Sequence, residues 1–289
     1  MAVNSGDGER GAHEGQRDAP GEGRGAQGAE HPDTARILAG LRLLHERLEE
    51  IDRSALGRDA RAIESHLPAW RRPTEGEARW QVALCTAAAI ALQIPVPERL
   101  DLMRPSWLLP AAEGCLLIAL IAANPRRINR ESKAIRALAL FLAALISFTN
   151  AWAASKLVFE LAHGKGPATG GALLITGSAI WLTNVFVFAL WYWEFDQGGP
   201  VARALGSAQR YPDFMFPQMS VMDSPHLVSK DWEPAFIDYF YLAFTNATAF
   251  SPTDTMPMSR WAKMAMTLQA AVSVITVALV VSRAVNILG

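Results

Sequence analysis

Residues Phe236 to Phe250 read FIDYFYLAFTNATAF, Ser251 to Arg260 read SPTDTMPMSR, and Trp261 to Leu288 read WAKMAMTLQAAVSVITVALVVSRAVNIL. The first stretch is apolar and aromatic, and its 15 residues make a helix of about 22 Å. That is too short to cross a hydrocarbon core of about 30 Å upright. Thr245, Asn246 and Thr248 add polar groups that acyl chains leave unsatisfied. The third stretch is long and apolar enough to span. A short helix, a polar turn and a full-length helix together predict a re-entrant loop, its irregular backbone covered by protein or water.

This order resembles the pore module of potassium channels, over roughly residues 236–289. The resemblance implies an aromatic pore helix, a Thr-Val-Gly-Tyr-Gly-Asp filter, a proline three residues after the Asp, and an inner helix. Asp254 and Pro257 occupy the matching places, and Thr248 ends the pore helix. The filter positions hold Ala249, Phe250, Ser251, Pro252 and Thr253 instead. Potassium filters aim rings of carbonyls with a backbone that glycine permits. Pro252 fixes its own φ and constrains Ser251, so potassium selectivity is not expected. The pore-loop candidates are Thr245, Asn246, Thr248, Phe250, Ser251, Thr253, Asp254 and Thr255. Asp254 carries two readings. In a tetramer it forms a carboxylate ring that attracts cations; alone, it closes the turn as an Asx-turn or N-cap residue.

A second likeness is broader. Phe216-Pro217, Asp238-Tyr239-Phe240-Tyr241, Thr253-Asp254-Thr255 and Asn286 resemble short motifs of a family of uncharacterised bacterial integral membrane proteins of about five spans. The likeness covers roughly residues 80–289 and implies an inner-membrane location but no activity.

Hydropathy predicts an all-α polytopic protein of five spans plus the re-entrant helix. The spans are Trp80–Val96, Trp107–Ala123, Ala134–Leu157, Gly171–Trp193 and Trp261 to about Ser282. Trp80, Trp107, Trp191, Trp193, Trp232 and Trp261 fall at the expected water interfaces. Arg71, Arg72 and Arg79 precede the first span, and Arg126, Arg127, Arg130, Lys133 and Arg136 lie between the second and third. Both clusters are expected on the cytoplasmic side, which places the weaker loop with Arg99 and Arg104 outside. The re-entrant helix then enters from the inside, unlike a potassium-channel pore loop, or it tilts and crosses to return the C-terminus to the cytoplasm.

Upstream of the spans, residues 1–33 hold many glycines and charges with no aromatic residue, the composition of a disordered tail without a signal peptide. Residues 34–79 form an amphipathic cytoplasmic helical region, with Ile37, Leu41, Leu44, Leu48, Ile51 and Ala55 in a heptad stripe. The stripe suits packing against membrane or bundle, or self-association. Residues 80–235 carry the first four spans and 236–289 the pore-like module. A net charge of −1 points to no nucleic acid, and Cys85 and Cys115 lie in apolar segments, which excludes a disulfide framework.

Glu113 sits mid-span after Pro110, where a lone charged carboxylate costs about 2.5–3.5 kcal/mol. It reads as a proton or cation site, or as a neutral packing residue at a helix bend. Lys156 and Glu160, four apart, are expected to pair along one helix face. Thr149-Asn150, Thr183-Asn184 and Gln269 are polar groups at mid-membrane depth, suited to bonding between helices or to lining a path. Glu194-Phe195-Asp196-Gln197-Gly198-Gly199-Pro200 reads as helix termination with a solvated acidic end. No nucleotide, nucleophile or zinc motif is present, so no enzyme and no cofactor is expected, and no metal is specified. The expected partners are the lipid bilayer and, for a pore, three further copies of the chain. The leading functional expectation is a pore-forming or permease-like protein without potassium selectivity. A secondary transporter using Glu113 and a non-conducting scaffold are the alternatives.

Overall fold

The structure is a computed structural model that describes residues 40–48, 69–74, 76–123, 132–164, 169–206, 211–221, 226–229, 231–248 and 254–288. Two compact units divide the chain, residues 1–61 and 62–289. In the first, residues 40–48 are helical (α1), and Leu41, Leu44 and Leu48 are all exposed. The tail and the rest of the heptad stripe lie outside the described residues.

The second unit is a helical bundle. Its elements are α2 (Arg79–Ala91), α3 (Leu108–Ala123), α4 (Lys133–Ala162), α5 (Gly170–Phe195), α6 (Pro200–Ala204), α7 (Pro217–Ser220), α8 (Phe236–Thr248) and α9 (Arg260–Leu288). Three helices are long and apolar enough to cross a membrane: Lys133–Ala162, Gly170–Gly198 and Arg260–Ile287. By length and composition these three helices are compatible with a membrane protein. The two segments expected as first and second spans are shorter. α2 has 13 residues and α3 has 16, about 20 and 24 Å. Pro95 and Pro97 explain the early end of α2, since neither can donate to a helical ladder. Turns from Leu92 to Pro97 take over from it.

α5 is the central helix, and α2, α4, α8 and α9 all pack on it. It has no polar stripe because it is surrounded, and 15 of its residues are buried. Thr169 caps its start, Oγ1 accepting the Ala172 N–H at 3.3 Å. Gly177 allows α9 to approach closely. A Cβ at that position would stand 2.7 Å from Val280 Cγ2, so a small residue sets the α5–α9 spacing.

The end of α5 turns on three consecutive residues with positive φ: Gln197 at 55°, Gly198 at 88° and Gly199 at 102°. Gly199 has a second reason to lack a side chain. A Cβ would meet the Glu194 carbonyl oxygen at 2.8 Å and the Arg136 guanidinium at 3.2 Å. Pro200 then opens α6 in the first helical turn, where its missing N–H costs nothing.

α8 and α9 start at the same end of the bundle and run in the same direction. Tyr239 and Trp261 reach the Asp196–Asp213 pair, while Asn246 and Gln269 meet each other deeper inside. Between the two helices the chain comes back. Met256–Pro257 pairs antiparallel with Phe214–Met215, and the Met258 N–H donates to Asp213 O at 2.7 Å. α8 thus starts at the same end of the bundle as the α9 that follows it. Its buried face, Phe236, Tyr239, Leu242, Ala243 and Ala247, keeps helical spacing and packs on α5 and α9.

Candidate functional site

Three polar clusters interrupt the apolar interior. The deepest involves Glu113 on α3. Its side chain is fully buried, and one carboxylate oxygen accepts a hydrogen bond from Gln93 Nε2 in the turn after α2. The other oxygen, Oε1, has no partner in full hydrogen-bond geometry among the described residues, although the Thr149 hydroxyl lies close to the carboxylate. Gln93 also borders a cavity of about 30 Å³ lined by Asp101, Ser106, Thr149, Asn150 and Thr183 among others. A water needs about 10–15 Å³ and a few polar partners, so the cavity has room for one or two. Thr149 and Thr183 turn their hydroxyls back onto their own helices, to Ile146 O and Ala179 O. Asn150 forms no hydrogen bond among the described residues and faces the cavity.

The second cluster centres on Gln269. Its Oε1 accepts from Tyr192 Oη and from Asn246 Nδ2, both at 2.7 Å, and its Nε2 donates to Ala243 O at 2.8 Å. Asn184 donates to Ser273 Oγ at 3.0 Å and Asn246 donates to Met266 O at 3.0 Å. This is the interhelical bonding expected of Asn184 and Gln269, and it ties α5, α8 and α9 together at one level.

The third cluster closes the end of the bundle where α2, α4 and α9 begin. Asp196 is fully buried and accepts from Tyr239 Oη at 2.6 Å and the Asp213 N–H at 2.9 Å. Asp213 accepts from Trp261 Nε1 at 2.7 Å and from the Gln197 N–H at 3.0 Å. Arg203 donates to the carbonyls of Trp193 and Asp196 and to Glu77 Oε1 at 2.8–3.0 Å. Glu77 Oε2 accepts from Trp193 Nε1 and from the Phe236 N–H, which starts α8. Burial alone would lower the Arg203 guanidinium, but the oxygens of Tyr239, Glu77 and Asp196 around it outweigh burial and raise it. It stays a cation. The acidic end of α5 is thus buried rather than solvated, because Asp196 and Glu194 find partners on three other segments.

No family model, curated protein or solved structure matches this chain. The site is therefore argued from geometry alone, and among the described residues no group of three or more His, Cys, Asp or Glu could hold a metal ion.

The pore-loop candidates divide. Phe250, Ser251 and Thr253 lie outside the described residues. Thr245 and Thr248 hydrogen-bond to carbonyls of their own helix, Tyr241 O and Phe244 O. Asn246 belongs to the Gln269 cluster. Thr255 is buried, whereas Asp254 is exposed and makes no hydrogen bond among the described residues. The start of α9 is capped by Ser259, whose Oγ accepts the Ala262 N–H at 3.3 Å. Asp254 is thus not the cap. Asp254→Ala should change stability by less than about 0.5 kcal/mol, as at an ordinary surface position. Ser259→Ala should cost about 0.5–2 kcal/mol. Thermal unfolding of the two variants in detergent checks this, and an Asp254→Ala loss above that of Ser259→Ala would return the cap to Asp254.

The Lys156–Glu160 pair does not form. The loop after α2 brings Arg99 to the end of α4, and Glu160 makes its ion pair there at 3.3 Å. Lys156 instead lies over the Trp152 ring, 5.5 Å from its centroid, and approaches Arg99 O. Arg99 won because its loop reaches the exposed helix end, which spacing within one helix does not reveal. Gln93, Glu77, Arg203 and Asp213 were not singled out from sequence. Gln93 carried one legible signal, a lone amide next to Pro95 inside an apolar stretch.

Proposed function

We propose that the chain is a permease-like membrane protein that carries protons or small cations by reversible loading of Glu113. The observation behind this reading is the fully buried Glu113 carboxylate, whose Oε1 has no partner in full hydrogen-bond geometry among the described residues and whose partner Gln93 lines a small cavity. A buried acid inside a membrane bundle has to be neutralised, and its neutralising species is then the exchangeable one. Gln93 holds one oxygen in place and leaves the second for a proton, a water or a cation. In this reading α2 and α3, with their flanking turns, are the first two of five crossings, and α8 is re-entrant from the cytoplasmic side. This reading sets the bundle end that carries Arg79, Lys133, Arg136, Arg203 and Arg260 on that side, following the positive-inside tendency.

The test is proton flux into proteoliposomes that hold a pH-sensitive dye, driven by an imposed potential. Wild-type protein should acidify the lumen, and Glu113→Gln should remove most of that flux while the purified variant unfolds at a similar temperature. Equal flux from both proteins would sink the role of Glu113, and no proton or sodium flux from wild type would favour a scaffold. A pore through a symmetric assembly is the second reading, favoured by the exposed and unbonded Asp254 at the returning turn. Flux independent of Glu113, from a tetramer in nanodiscs, would support it. A monomer would exclude it.

A further inference from the structure

At the end of the bundle that carries the third cluster, a separate cleft of about 270 Å³ lies among α2, α3, α4 and α5. Its walls are apolar, with Val82, Leu117, Leu120, Ile135, Leu142 and Leu190 among them. Its mouth is not. Arg79, Lys133 and Arg136 stand there with a single carboxylate, Glu194. Glu194 is already committed, accepting from Arg136 Nε at 3.2 Å. The Nη groups of Arg136 make no hydrogen bond among the described residues, its side chain is 48% exposed, and Lys133 is exposed with no ion pair among them. Ser132 precedes α4 without a side-chain cap bond, so the first N–H groups of that helix add to the positive mouth.

We propose that this cleft binds one anionic phospholipid, an acyl chain between the helices and the headgroup phosphate on Lys133 and Arg136. Charge complementarity selects the occupant. The apolar walls accept a chain of any lipid, but three cations with one carboxylate leave the lining net positive, and that favours a headgroup with net negative charge over a zwitterion. The position agrees, because the cations lie at the ends of α2 and α4, where a headgroup would sit, and the walls extend from there into the apolar bundle. A volume near the lower edge of small-molecule pockets suits one chain rather than a whole bilayer fragment. The backbone turn at Gly198–Gly199 leaves room for Arg136 at the mouth: a Cβ at Gly199 would press on its guanidinium at 3.2 Å. This binding does not depend on Glu113 or on transport.

Native mass spectrometry of the full chain from nanodiscs containing equal phosphatidylglycerol and phosphatidylcholine tests it. One retained phosphatidylglycerol per chain is expected, and phosphatidylcholine should not replace it. Lys133→Gln should weaken that retention about fivefold, one basic contact's worth at an anionic surface. The variant should unfold at the wild-type temperature without lipid, because Lys133 has no protein partner among the described residues. Ala139→Phe, which fills the cleft and leaves the cations in place, should also remove the lipid. Inorganic phosphate and glycerol 3-phosphate should not displace it; if either does at millimolar concentration, the site is one for soluble phosphate and the lipid proposal fails. Equal retention of both lipids, or unchanged retention in Lys133→Gln and Ala139→Phe, would overturn it as well.

Discussion

Arg203→Met is expected to destabilise the bundle by about 3–5 kcal/mol, the cost of stranding a buried charge. Arg203 is 8% exposed and ends on two backbone carbonyls and Glu77. Its loss removes the Arg203 countercharge from the Glu77 carboxylate while Glu77 still holds the Phe236 N–H that begins α8. The damage should therefore spread to α8 and not stay at α6. Adding Glu77→Gln to Arg203→Met should recover part of the loss, since the neutral amide no longer strands a charge. Arg203→Lys should fall between, because an ammonium cannot reproduce three donors in a planar fork. Denaturant unfolding followed by tryptophan fluorescence, with limited proteolysis between α8 and α9, reads all three. A single-variant loss under about 1 kcal/mol, or no recovery in the double variant, would mean the cluster does not hold the bundle end together.

The second large effect belongs to Gln269→Leu. The substitution keeps the volume roughly constant but removes three hydrogen bonds at once, to Tyr192, Asn246 and Ala243. Interhelical bonds inside membranes average about 0.6 kcal/mol each and reach about 1.7. Three of them, with Tyr192 left unpaired and Asn246 keeping only its bond to Met266 O, give an expected loss of about 2–3 kcal/mol. The lower per-bond value is the better guide, because partners freed in a bilayer find one another again. If Gln269→Leu proved neutral in an unfolding titration in lipid, α8 would be held by its apolar face alone. The two predictions address different ends of α8, so the substitutions should add within a few tenths of a kcal/mol when combined.

Much of the bundle was legible because helices in apolar stretches follow composition and length. The three long helices, the half-length α8 and the stop at Gln197–Pro200 follow from hydropathy, polar content and glycine placement. α2 was read too long, since prolines inside an apolar run end a helix without ending its hydropathy, whereas α3 agrees with the expected segment to one residue. The tryptophans show the same limit. Trp80 and Trp107 do point outward, but Trp193 and Trp261 are drawn inward by Glu77 and Asp213, carboxylates distant in sequence.

The sites divide in the same way. From sequence alone came the oddity of Glu113 in an apolar segment, the polar character of Asn184 and Gln269, and the incompatibility of Pro252 with a potassium filter, because each depends on a residue's own chemistry at a known depth. Only the tertiary structure decided that Gln93 holds Glu113, that Glu160 pairs with Arg99 and not with Lys156, that Asp196 is buried, and that α9 starts at the same end of the bundle as α8. Each of those is a pairing between segments tens of residues apart, and loop geometry chooses such partners: spacing along one helix records only the neighbours within a turn.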